Sequence, residues 1–192
     1  MKRVSVLVAG VMILFLAAQS PAQKNDSEKM RATIERGKFL VDLGGCNHCH
    51  SPKMMTPRGP VPDTTRLLSG SPSGWAVPAV PVEAMGPDKW GAVTSPDLTA
   101  WAGPWGISFT RNLTPDKETG LGSWTDAVFI KALRTGKDMG EGRAILPPMP
   151  WEDIGKLPDA DLKAMFAYLK SLKPIRNAVH DPVPPPPPEH VH

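Results

Sequence analysis

Apolar residues recur with a helical period in three separate stretches, and elsewhere the chain has no sustained pattern. From Glu28 to Leu43, Met30, Ile34, Leu40 and Val41 fall on one side of a 3.6-residue repeat, with Gly37 beside that face. This predicts a helix over 28–43, stopped by Gly44-Gly45, with residues 23–29 a loose polar lead-in. In "GSWTDAVFIKALRTG" (122–136), Ser123 with Asp126 three residues on suits a helix start. Trp124, Ala127, Ile130 and Leu133 follow at helical spacing, and Gly136 ends the run. The third stretch, "LPDADLKAMFAYLKSLKP" (157–174), offers Pro158 for the first helical position and Asp159 and Asp161 for the positive end of the dipole. Leu162, Met165, Phe166, Leu169 and Leu172 form its apolar stripe, and Pro174 closes it.

Between the first and second helices lies a segment with neither helical nor strand period. Seventeen of residues 51–107 are Pro or Gly, and four of the chain's 6 Trp lie there (Trp75, Trp90, Trp101 and Trp105). It is expected to be an irregular excursion held by buried aromatic anchors; so long a loop in a compact domain usually serves function. Residues 177–192, with Pro184 to Pro188 and His190 and His192, read as a stiff extended tail. At the other end, Lys2 and Arg3 precede an apolar run from Val4 to Ala18, with Ser20 and Ala22 suited to a cleavage site after Ala22. That run is shorter than the ~20 residues of a spanning helix, so residues 1–22 are expected to be a signal peptide that exports the chain to the periplasm. Only an uncleaved N-terminal segment would tie the protein to a membrane.

Composition sharpens this. The chain has 192 residues, 41% of them hydrophobic, with 23 Pro and 17 Gly. That is poor in core for one domain, so a buried apolar body from outside the polypeptide would explain the balance. With 22 basic and 19 acidic residues there is no basic stripe, and nucleic-acid binding is not expected.

Both cysteines stand in "GGCNHCH" (44–50). A zinc site needs four ligands, usually two pairs, and His180, His190 and His192 cluster in the proline-rich tail. A redox disulfide would want a strand–helix–strand setting, which the surrounding pattern lacks; an ordinary structural disulfide explains neither the spacing nor the following His50. Covalent c-type haem explains both. One turn of backbone presents thiols at i and i+3 for thioether bonds to the porphyrin vinyl groups, and the histidine at i+4 becomes an iron ligand. On this reading Cys46 and Cys49 attach the cofactor, His50 is the proximal ligand, and His48 faces away.

A second protein ligand would come from far along the chain. Met54 and Met55 are too close to His50 to reach the opposite face, and Met30 and Met165 sit on helical core faces. Met85 and Met139 remain open, the latter between glycines that would hold it poorly. Met149, in "ILPPMPW", is flanked by prolines that exclude regular structure and stiffen the loop, the rigidity a metal ligand needs.

The order of these motifs resembles the class I cytochrome c fold. More narrowly, "NLTPDKETGLGSWTDAVFIKALRTG", "LPPMPW" and "DADLKAMFAYLKSL" are similar to the cytochrome c modules of bacterial membrane-bound alcohol and aldehyde dehydrogenase subunits. The resemblance covers roughly residues 28–50 and 106–176. It implies an all-α domain over 23–176 around one haem, with 51–105 inserted, and His50/Met149 ligation. It further implies that the Trp124 indole donates to a haem propionate and that Gly37 crosses Phe166 or Tyr168. Gly103-Pro104 would supply the carbonyl that orients the proximal imidazole. The function implied is electron transfer without catalysis, between redox proteins such as a dehydrogenase donor and an oxidase or cytochrome acceptor. Two rivals stand beside it: an electron-transfer subunit within a dehydrogenase complex, and a peroxidase-like haem enzyme with an open sixth site.

Overall fold

The computed structural model of the protein describes residues 21–185. The expected signal segment therefore lies outside the described residues up to position 20, as does the tail beyond 185. No described helix is long and apolar enough to cross a membrane.

Helix α1 runs over Pro21–Leu43 and α5 over Asp159–Ser171. The two cross where Gly37 meets the backbone of Ala164: a Cβ at position 37 would lie 1.8 Å from the Ala164 carbonyl oxygen and 2.9 Å from Tyr168 Cβ. The crossing thus falls on Ala164 and Tyr168 rather than on Phe166. Helix α1 begins earlier than its apolar pattern. Residues 23–29, expected to be loose, are helical but exposed, and Met30 is exposed as well. Only Gly37, Leu40 and Val41 of α1 are buried. Helix α5 buries Leu162, Ala164, Met165, Phe166 and Leu169; of the expected stripe, Leu172 falls just past the helix end and is half-buried.

Helix α3 spans Asp126–Thr135, two residues later than a start capped by Ser123 would give. Thr125, not Ser123, is the cap: its hydroxyl accepts from the Val128 amide at 3.3 Å. The buried face is accordingly Phe129, Ala132 and Leu133, with Ala127 turned outward. Gly136 closes the helix at φ 65°, as a left-handed glycine should. A short helix α4, Trp151–Ile154, follows the Met149 loop.

The segment between α1 and α3 is not irregular throughout, so the fold is helical with small sheets rather than all-α. After the single turn α2 (Cys46–His50), strands β1 (Lys53–Thr56) and β2 (Gly59–Pro62) form an antiparallel hairpin. Strands β3 (Val93–Thr94), β4 (Ala100–Gly103) and β5 (Gly106–Phe109) form a second antiparallel sheet in which Trp101 pairs with Ser108. Alternation is hidden here because each strand is short and bounded by Pro or Gly. Trp90 is 70% exposed and so is not a buried anchor, whereas Trp75, Trp101 and Trp105 are half-buried. The excursion is stitched to the core by Leu113 N to Leu68 O at 2.8 Å, Ser71 N to Thr110 O at 2.9 Å, and Gly70 N to His50 O at 2.8 Å.

One hydrophobic cluster joins α1, α3, α5 and the loop residues Leu68, Leu121 and Trp124. Each fully buried leucine contributes about 1.5–3 kcal/mol of transfer free energy. The cluster does not close completely, and the space it leaves is the site.

Candidate functional site

The site starts from a glycine turn. Gly45 takes φ 64°, which ends α1 and launches α2 at once. Within that one turn Cys46, Cys49 and His50 all reach the wall of a single cavity of about 450 Å³, inside the ~300–1,000 Å³ range of ligand and cofactor sites. His48 remains exposed at the rim. The turn is fixed from behind: buried Ser51 donates to Asn47 Oδ1 at 2.8 Å and accepts from the Leu68 amide at 2.8 Å.

His50 is 9% exposed, and its Nδ1 lies 2.8 Å from the Arg111 carbonyl oxygen. A carbonyl accepts only, so Nδ1 carries the proton and Nε2 keeps a free lone pair. Burial lowers the pKa of the ring, and the Arg111 charge acts in the same direction; the hydrogen bond to the carbonyl opposes them. The imidazole is therefore neutral and suited to ligate a metal. The orienting carbonyl belongs to Arg111 and not to Gly103-Pro104. The β4–β5 hairpin carries 103–104 to its tip, and the chain returns to His50 only after β5. A backbone acceptor has no residue-type signature. The neighbouring Asn112-x-Thr114 turn is the one signal available: Asn112 Oδ1 accepts from the Thr114 amide at 3.0 Å and its Nδ2 donates to Ile175 O at 2.7 Å.

Both cysteines are free and half-buried. Burial pushes the Cys46 thiol up to about 11 and raises Cys49 as well. Redox-active dithiols have the opposite shift. The zinc reading also lacks its ligand set: among the described residues no three His, Cys, Asp or Glu side chains converge.

Met149 lies on the wall of the same cavity as His50, although 99 positions separate them. Pro147, Pro148 and Pro150 surround it, with a cis peptide between the first two. Of the other methionines, Met165 also borders the cavity from α5. Met30, Met54, Met55 and Met139 are exposed, and Met85 is half-buried away from it.

The cavity has one polar edge. The Arg111 guanidinium stacks 4.8 Å from the Trp124 ring and pairs with Asp138 through Nη1. Arg111 Nε is buried without a partner, an orphaned donor at the wall of a cavity otherwise dominated by apolar side chains. Two thiols, a neutral imidazole, a thioether and an unsatisfied cationic donor fit a flat apolar body with carboxylates on its edge. That is the donor set haem c requires.

Together with the relatives below, the helix crossing, the C-x-x-C-H turn and the methionine loop make this a cytochrome c domain. More narrowly, the chain is similar to the cytochrome subunits of several dehydrogenases. The alcohol dehydrogenase (quinone) cytochrome c subunit of Gluconobacter oxydans (strain 621H) is 40% identical over 171 residues, covering 88% of this chain and 27% of that protein. The gluconate 2-dehydrogenase cytochrome c subunit of Pantoea cypripedii is 29% identical over 182 residues, 94% of this chain and 31% of its own length. The fructose dehydrogenase cytochrome subunit of Gluconobacter japonicus is 36% identical over 156 residues, 81% and 24%. The chain thus spans less than a third of the length of these relatives. No family model matches it.

Proposed function

We propose that this chain is an exported monohaem c-type cytochrome that passes single electrons between redox proteins, a dehydrogenase being the donor class its relatives suggest. Bound in the cavity, haem c supplies a one-electron Fe(III)/Fe(II) couple. Cys46 and Cys49 would hold the porphyrin through thioethers. His50 Nε2 and the Met149 thioether would both ligate the iron, so that no open site would be left for peroxide or oxygen. Arg111 and Trp124 would face the propionate edge. The cluster of Leu121, Phe129, Leu133 and Leu169 excludes water and so favours the less charged reduced state.

The observation that carries this reading is the meeting of His50 and Met149 at one cavity. The test is the haem-loaded chain with Met149→Ala. It is expected to lose the weak sulfur-to-iron band of the ferric protein, to have a lower potential, and to bind cyanide rapidly. Met165 is the competing thioether, so Met165→Leu is expected to keep the band. If the band survives Met149→Ala, or the unaltered ferric protein is already high-spin, the two-ligand reading is wrong.

A further inference from the structure

The loop that carries Met149 has little to hold it in place. Pro147, Pro148 and Pro150 lack amide protons, and the Met149 amide reaches only Leu146 O, at a long 3.4 Å. Among the described residues, a single hydrogen bond ties Leu146–Met149 to another part of the chain. It comes from Ser108 on β5, whose hydroxyl lies 2.6 Å from the Pro147 carbonyl oxygen. The same hydroxyl is 3.4 Å from Trp101 O. It has only one proton, and the shorter contact takes it. Ser108 is 8% exposed, so its hydroxyl is largely shielded from water, while Pro147 on the other side of the bond is exposed.

Ser108 is itself held firmly. It sits opposite Trp101 in the β4–β5 ladder, and the preceding residue, Ile107, exchanges two hydrogen bonds with Val183, at 2.8 and 3.0 Å. Three residues after Ser108, the Arg111 carbonyl meets His50 Nδ1 at 2.8 Å. Strand β5 and the residues just after it therefore reach both sides of the cavity: a hydroxyl toward the Met149 loop and a carbonyl toward His50.

We propose that Ser108 is the positioning residue of the Met149 loop, and that strand β5 sets how firmly the thioether is held on the iron. This rests on Met149 being the axial ligand. Without the Ser108 hydroxyl the Pro147 carbonyl loses its protein donor, and the loop opens more often while the rest of the domain stays folded.

The test uses the haem-loaded full chain, comparing Ser108→Ala, and separately the isosteric pair Ser108→Thr and Ser108→Val, with the unaltered protein. The readouts are the ferric sulfur-to-iron band as pH is raised, the rate at which imidazole displaces the protein ligand, and helical circular dichroism. Removing one neutral hydrogen bond should speed displacement by about three- to tenfold. In Ser108→Ala and Ser108→Val the band should also disappear at a lower pH than in the unaltered protein. Ser108→Thr, which keeps the donor, should stay close to the unaltered protein, and helicity at room temperature should not change. Ser108→Ala and Ser108→Val behaving like the unaltered protein would overturn the proposal, provided Met149→Ala removes the band. Loss of the band only together with helicity would overturn it too, because that marks a merely structural role. A band that persists in Met149→Ala removes the ligation on which the proposal stands.

Discussion

Asp116 accepts hydrogen bonds from the Thr119 hydroxyl and amide, both at 2.7 Å, and from the Glu118 amide at 3.2 Å. The Thr119 hydroxyl, followed by the amides, holds its carboxyl below the usual carboxylate range. Because the folded pKa is depressed, this contribution to stability is present above about pH 4 and is lost as pH falls through the folded value. Asp116→Asn should therefore flatten the acid limb of stability. Between pH 7 and pH 3 the unaltered protein should lose more of its urea midpoint than the variant, and parallel curves would refute the assignment. Residues of this kind were partly legible. Cys46, Cys49, His50 and Met149 advertise themselves because thiols, imidazole and a proline-locked thioether are chemically distinctive at their spacing. Ser108 and the Arg111 carbonyl do not, since a serine or a backbone oxygen acquires meaning only from what the folded chain sets opposite it.

At the scale of elements, legibility followed the apolar stripe. Helix α5 could be placed within two or three residues at either end because its buried face is continuous. The first half of α1 could not, because it buries nothing: it extends from the anchored turns at Gly37 and Leu40 as an exposed helix, with side-chain pairs such as Arg31–Glu35 at 3.3 Å. The strands escaped notice since two to four residues between prolines and glycines cannot display an alternation. The α1–α5 crossing gives the sharpest prediction at this scale. Alanine is the better helix former by about 1 kcal/mol, so on propensity alone Gly37→Ala would stabilise. The contact distance decides otherwise, because a methyl group 1.8 Å from the Ala164 carbonyl oxygen cannot be accommodated unless the helices part. Overpacking of this sort costs about 1–3 kcal/mol. The haem-loaded variant is expected to melt several degrees lower, and a Tm equal to or above that of the unaltered protein would show that the crossing is slack.

For the whole molecule, the question is what fastens the insertion to the helical core. The segment after α5, expected to be a free extended tail from 177, carries much of that task up to position 183. Ile175 N donates to Thr114 Oγ1 at 3.1 Å, the His180 ring tilts against Phe109 with centroids 5.4 Å apart, and Val183 pairs with Ile107. Pro182 then borders the cavity itself. The chain clears β5 only because residue 106 is glycine: a Cβ there would lie 2.0 Å from Val183 O. Asn177 is the most committed point, 3% exposed. Its Nδ2 donates to Ser69 O at 2.7 Å and Ser71 O at 2.8 Å, while its Oδ1 accepts from the Ser73 amide at 3.0 Å. Asn177→Ala removes these three bonds and a longer one from Arg66 Nη2 to Oδ1 at 3.4 Å, and leaves the Ser69 and Ser71 carbonyls in a place water reaches poorly. Each unsatisfied group costs about 1–3 kcal/mol, partly relieved by local relaxation, so a loss of roughly 2–4 kcal/mol is expected. Asn177→Asp restores the acceptor but neither donor, and sets a carboxylate against two carbonyls, so it should be no better. In urea unfolding of the haem-loaded protein both variants should shift the midpoint downward with the slope unchanged. A shift worth less than about 0.5 kcal/mol, the scale of an ordinary surface substitution, would mean that the strap lies on the insertion without holding it.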